Sequence, residues 1–169
     1  MKQHIPNTLT LINMLLGLVA VTLLIGSNLP NKEIIAVILI MLGAIIDFFD
    51  GYIARKLDAV TTIGKQLDSF ADLVTFGIAP ICLANYIAFS ILIAIPSSLF
   101  LLAGAYRLAR YQINGFNGYF MGLPITIAGV LLAVWCLMLS KIEVHTVITA
   151  LFIAMLAALM VSKIKVKKL

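Results

Sequence analysis

The chain is poor in charge: only 11% of its 169 residues are Asp, Glu, Lys or Arg, against 63% hydrophobic. A soluble globular domain carries about a quarter charged residues. That shortage excludes a water-soluble core with a polar coat, and a mean hydropathy of +1.14 agrees. Cysteine is scarce as well. Cys82 and Cys136 both lie in apolar runs without metal spacing, which excludes a thiolate zinc site and leaves two small buried hydrophobes. Of the two histidines, His4 and His145, neither has a ligand partner nearby. Repeats and low-complexity segments are absent, and no small-residue cleavage site follows the first apolar run.

What remains is a set of long apolar runs. A bilayer core needs about 20 apolar residues per helix. Six candidates fit, at roughly 8–26, 33–54, 67–89, 96–113, 124–141 and 144–162. The expected fold is all-α, one domain over residues 1–169 with six transmembrane helices. Asn28-Leu29-Pro30-Asn31 marks a turn, Pro96 opens the fourth span, Asn114–Gly118 breaks the chain after it, and Pro80 predicts a kink in the third. Six spans place both termini on one side. Ten of the twelve basic residues then share that side, with Lys32 and Lys141 opposite, so both termini are expected in the cytoplasm. The basic face suits anionic lipid, and no nucleic-acid partner is expected.

The acidic residues are few but gathered. Five of the seven lie within residues 45–76, as Asp47, Asp50, Asp58, Asp68 and Asp72. Asp47 and Asp50 are three apart, and Asp68 and Asp72 are four apart, so each pair shares a helix face. About a dozen residues join the two helices, which are therefore antiparallel neighbours, and four carboxylates converge at one depth. Asp58 falls in the loop. Four like charges in a low dielectric repel unless protons or cations hold them. All-oxygen ligands suit Mg²⁺, Mn²⁺ or Ca²⁺, and a carboxylate–metal site suits phosphate groups. Gly51 and Ala54 leave room beside the aspartates, Arg55 offers a guanidinium fork, and Gly64 precedes the second acidic helix. A cation path through a small transporter is the competing reading. It has no evident need for these neighbours.

Asp47-x2-Asp50-Gly51-x2-Ala54-Arg55-x8-Gly64-x3-Asp68-x3-Asp72 fixes eight positions in 26 residues. The pattern resembles the complete motif of the CDP-alcohol phosphotransferases. The resemblance implies transfer of a phosphoryl-bearing group from a CDP-linked donor to a hydroxyl, with release of CMP. It implies one or two Mg²⁺ or Mn²⁺ ions among Asp47, Asp50, Asp68 and Asp72, with Asp72 as general base. Gly51, Ala54, Arg55 and Gly64 would lie along the nucleotide. Pro6-Asn7 resembles the family's Pro-Asn at the start of the first span. Asn7 would approach the nucleotide or simply cap the helix.

The segments Asp68–Pro80, Tyr106-Arg107-Leu108-Ala109-Arg110-Tyr111 and Gly122-Leu123-Pro124 resemble the phosphatidylserine synthase branch, with Thr75 where Ser is common. That likeness implies CDP-diacylglycerol as donor and L-serine as acceptor. Arg107 and Arg110 would then hold the serine carboxylate or the lipid phosphate, and both could equally anchor the span by snorkelling. It also implies a homodimer in a prokaryotic plasma membrane, its site facing the cytoplasm. Glycerol phosphate or inositol phosphate as acceptor, and an archaeal ether-lipid donor, stay open.

Overall fold

The computed structural model describes residues 4–114, 119–140, 146–162 and 165–167. The Gly115–Gly118 part of the expected break, His145 and the tail residues Lys163 and Lys168 lie outside them. The described residues form helices α1 (His4–Gly26), α2 (Lys32–Lys56), α3 (Thr62–Asp72), α4 (Ala79–Ile87), α5 (Ile91–Asn114), α6 (Ile125–Leu139) and α7 (Thr146–Val161). A π-helical turn, Leu73–Ile78, joins α3 to α4, so Thr62–Ile87 runs as one rod. Four rods are long and apolar enough to cross a membrane: Ile5–Gly26, Lys32–Lys56, Thr62–Ile87 and Ile91–Gln112. Ile125–Leu139 and Thr146–Val161 are shorter apolar helices. Among the described residues one strand pair departs from the expected all-α fold: β1 (Tyr119–Met121) pairs antiparallel with β2 (Lys165–Lys167).

Two helices start five residues earlier than the apolar runs suggest. The Thr61 side chain accepts the Gly64 N–H at 3.0 Å and opens α3 at Thr62, five residues before the expected start. Gly64 therefore lies inside the first turn, and its amide is already committed. Ser90 opens α5: its hydroxyl accepts the Leu92 N–H at 3.2 Å and its carbonyl those of Ile93 and Ala94. Pro96 then sits inside the helix instead of opening it. In both cases capping chemistry sets the boundary, and hydropathy does not register it.

Where a kink is expected at Pro80, a π turn precedes the proline. Proline lacks the N–H that a carbonyl four residues back requires. Here the spacing widens to five, with Ala79 N–H on the Val74 carbonyl.

Glycines set how closely the rods approach. Helices in lipid gain little from apolar burial against one another, so close packing must hold them. Thr75, fully buried, fills a notch between α1 and α2. A Cβ at Gly17 would lie 2.7 Å from the Thr75 Cα, and one at Gly43 would lie 2.7 Å from its Cγ2. The Thr75 hydroxyl donates to the Asn13 carbonyl at 2.9 Å. On the other side of the π turn, a Cβ at Gly129 of α6 would meet the Phe76 Cα at 2.7 Å. Gly129→Ala is expected to cost about 1–3 kcal/mol of stability by overpacking. Thermal unfolding in detergent checks this, and an unchanged midpoint contradicts the contact. Gly122 combines a φ of +74° with close approach: a Cβ there would lie 3.1 Å from the Ser162 carbonyl oxygen.

At the end far from the aspartates, Lys32 ties three rods together. Its ammonium donates to the Leu24 and Ser27 carbonyls at 2.9 Å each and lies 4.4 Å above the Tyr86 ring.

Candidate active site

The acidic residues come together where α2 and α3 run side by side. One carboxylate oxygen each from Asp47, Asp50 and Asp68 lies within 4.8 Å of the others. Two oxygens on one Mg²⁺ are at most about 4.2 Å apart, and on Ca²⁺ about 5 Å. The cluster thus has the dimensions a hard divalent cation spans after slight contraction, and its donors are all oxygen. Asp72 stands beside this trio. Its carboxyl lies against that of Asp47, which also touches the Thr126 hydroxyl at the start of α6. Asp72 is buried, and its Oδ1 has no hydrogen-bond partner among the described residues. An orphaned acidic oxygen beside three clustered carboxylates fits a site built to receive a cation or a proton.

On one side of the acidic layer is a cavity of about 450 Å³. Asp50 and Asp68 face it. Asn7, Gly51, Ala54, Arg55 and Gly64, all expected near a nucleotide, line it too. Asn7 lies within the first turn of α1 and does not cap it. Its Oδ1 would be 3.0 Å from a Cβ at Gly64, so glycine there admits the Asn7 side chain. Asp58 is in the connecting turn, exposed and at a positive φ of 50°, away from the cluster.

The two arginines part company. Arg107 is buried, 8% exposed, and its charge acts on Asp72. Its Nε has no hydrogen-bond partner among the described residues. Arg110, one turn on, leans outward, with Nη1 3.4 Å from the Val161 carbonyl and the guanidinium 5.8 Å from the Tyr106 ring. The acidic layer thus has a cavity side, with Asp50 and Asp68, and an arginine side, where Asp47 and Asp72 meet Thr126 and Arg107.

Sequence reasoning passed over four participants. Thr10 donates from its hydroxyl to Asp50 Oδ2 at 2.8 Å. A signal existed: Asn7, Thr10 and Asn13 form a polar stripe at three-residue spacing on an apolar helix. Gln112 donates to Ser69 Oγ at 2.7 Å and ties the end of α5 to α3. Lys65 joins the cavity lining from the first turns of α3. Thr126 had no signal, being one hydroxyl in an apolar run.

Fold and site define a class: a membrane-spanning helical protein whose clustered carboxylates wall a cavity lined by an arginine and small residues. The chain belongs to the CDP-alcohol phosphatidyltransferase family, whose sequence profile matches residues 3–163. It is similar to a CDP-diacylglycerol–serine O-phosphatidyltransferase of Bacillus subtilis (strain 168), 40% identical over 167 residues that cover 96% of this chain and 89% of the relative. A protein of the same name from Methanocaldococcus jannaschii is 36% identical over 164 residues, 97% of this chain and 74% of that one. An archaetidylserine synthase of Methanothermobacter thermautotrophicus is 33% identical over 131 residues, 75% of this chain and 54% of that one.

Proposed function

We propose that the protein transfers the phosphatidyl group of CDP-diacylglycerol to the hydroxyl of L-serine, giving phosphatidylserine and CMP. The observation that carries this reading is the trio Asp47, Asp50 and Asp68, set within 4.8 Å of one another beside a cavity that Gly51, Ala54, Arg55 and Gly64 of the motif line. The relatives of matching name that span most of this chain support the choice of serine.

In this reading Asp47, Asp50 and Asp68, with Asp72 at the margin, hold one or two Mg²⁺ or Mn²⁺ ions. When bound, the metal neutralises charge on the pyrophosphate and on the departing CMP. The protein's own residues do the rest. Arg55 and the N-terminal turn of α1 hold the nucleotide's phosphates in the cavity, where Gly51 and Ala54 leave room. Arg107 receives the serine carboxylate. Asp72 takes the proton from the serine hydroxyl as its oxygen attacks phosphorus. The new O–P bond replaces the P–O bond to CMP, and the proton leaves with the products. Both termini lie in the cytoplasm, six spans cross the plasma membrane, and the site opens to cytoplasmic serine while the donor's tails stay in lipid. A second copy completes a homodimer.

The test is CMP release by purified protein with CDP-diacylglycerol and Mg²⁺, run in parallel with L-serine, glycerol 3-phosphate and inositol 1-phosphate. Release with serine alone is expected. Release with a phosphorylated acceptor instead would overturn the serine assignment and leave the family standing.

A further inference from the structure

Thr10 has no place in the eight-position motif, yet its hydroxyl reaches one of the motif aspartates. It is 2.8 Å from Asp50 Oδ2 and 3.0 Å from the Pro6 carbonyl oxygen. Both partners of the first bond are out of solvent, Thr10 at 5% exposure and Asp50 at 3%. A hydroxyl carries one proton, and a carboxylate attracts it more strongly than an amide carbonyl does. The Pro6 carbonyl lies four residues back on the same helix, so it holds the threonine rotamer against α1. The bond to Asp50 is different: it joins α1 to α2 across forty residues of sequence.

Fixing one carboxylate oxygen fixes the plane of the whole group. The direction of the other oxygen is then set as well. Asp50 is one of the three residues whose oxygens cluster within 4.8 Å. Repulsion among three clustered carboxylates would otherwise favour rotamers that turn away from one another. A donor bonded to Asp50 Oδ2 opposes that turn.

We infer that Thr10 is a positioning residue for the metal site: it holds Asp50 in the orientation that completes the three-carboxylate cluster. The inference rests on the proposed role of the aspartates as metal ligands, and it is independent of which acceptor the enzyme uses. Outer partners of metal ligands are commonly worth ten- to a hundredfold in metal affinity.

The experiment is Mn²⁺ binding to the full-length protein in detergent, without substrate, followed by electron paramagnetic resonance. Thr10→Val keeps the side-chain shape and removes the hydroxyl, whereas Thr10→Ser keeps the hydroxyl. The dissociation constant is expected to rise about tenfold or more in Thr10→Val and to stay within about threefold of wild type in Thr10→Ser. Metal-free Thr10→Val should still unfold cooperatively, with its midpoint lowered by no more than the loss of one hydrogen bond to a charged group accounts for. In an Asp50→Ala background, Thr10→Val should change the dissociation constant no further. If Thr10→Val does not fold, Thr10→Ala and Thr10→Ser replace it in the same cycle. Equal affinity in wild type and the hydroxyl-free variant, or a tenfold loss in Thr10→Ser, overturns the inference and leaves the metal reading intact. A wild-type protein that binds no Mn²⁺ overturns both.

Discussion

Asp68→Asn is expected to lower CMP release at least about a hundredfold, because a metal's stabilisation of developing charge is worth several kcal/mol and each 1.36 kcal/mol is tenfold. Asp68 is chosen because it belongs both to the carboxylate trio and to the cavity wall. Asparagine keeps the shape and one oxygen but removes the charge that would bind the cation. The variant should not unfold more easily without metal, since replacing one of three clustered carboxylates relieves repulsion. Wild type should gain thermal stability when Mg²⁺ is added, and Asp68→Asn should gain little. Chelation should silence the wild-type enzyme to the same extent, and restored metal should revive it but not the variant. A variant that releases CMP at the wild-type rate would remove the metal site from the account.

The second large effect concerns Arg107. Arg107→Ala is expected to raise the KM for serine about ten- to a hundredfold, as loss of a hydrogen bond to a charged group costs about 1.5–3 kcal/mol. The KM for the CDP-lipid should stay close to wild type. The physical ground is a buried guanidinium whose Nε–H has no partner among the described residues while Asp72 lies in electrostatic range. A desolvated donor of that kind is poised for an incoming anion. Arg110→Ala is expected to leave the serine KM nearly unchanged, because that side chain leans toward the Val161 carbonyl. Steady-state kinetics with each substrate varied in turn separates the outcomes. A shift in the lipid KM alone would assign Arg107 to the donor phosphate.

The contrast between the two arginines shows where sequence reading stops. Three residues along a helix is a rotation of about 60°, enough to share a face yet also enough to point one side chain inward and the other out. The neighbouring helix decides, and its position is not in the local sequence. The aspartates were legible because their spacings of three and four act within single helices, and the two helices are joined by a short turn. Thr10 was legible in part, as a polar position on an apolar helix. Thr126 and Gln112 were not, because the contacts that give them meaning join elements far apart in the chain. Helix starts were misplaced where Thr61 and Ser90 cap them, since an apolar-run count weighs composition and ignores single hydroxyls.

Thr75 has one more consequence, a mechanical one. Wedged between Gly17 and Gly43, it acts as a pivot for the first three rods. Asp47 is four residues from Gly43, about 6 Å along the axis; Asp50 and Asp68 are seven residues from Gly43 and Thr75 respectively, about 10.5 Å; Lys65 at the cavity is ten residues from Thr75, about 15 Å away. If the rods splay by about 5° around that pivot, the mouth widens by about 1.3 Å, Asp50 and Asp68 shift by about 0.9 Å and Asp47 by about 0.5 Å. The entrance therefore moves most and the Asp47 end of the acidic cluster least, and only that end stays within the roughly 0.5 Å that ligation tolerates. Short lever and long lever are cut from the same helices, and a single threonine sets the ratio.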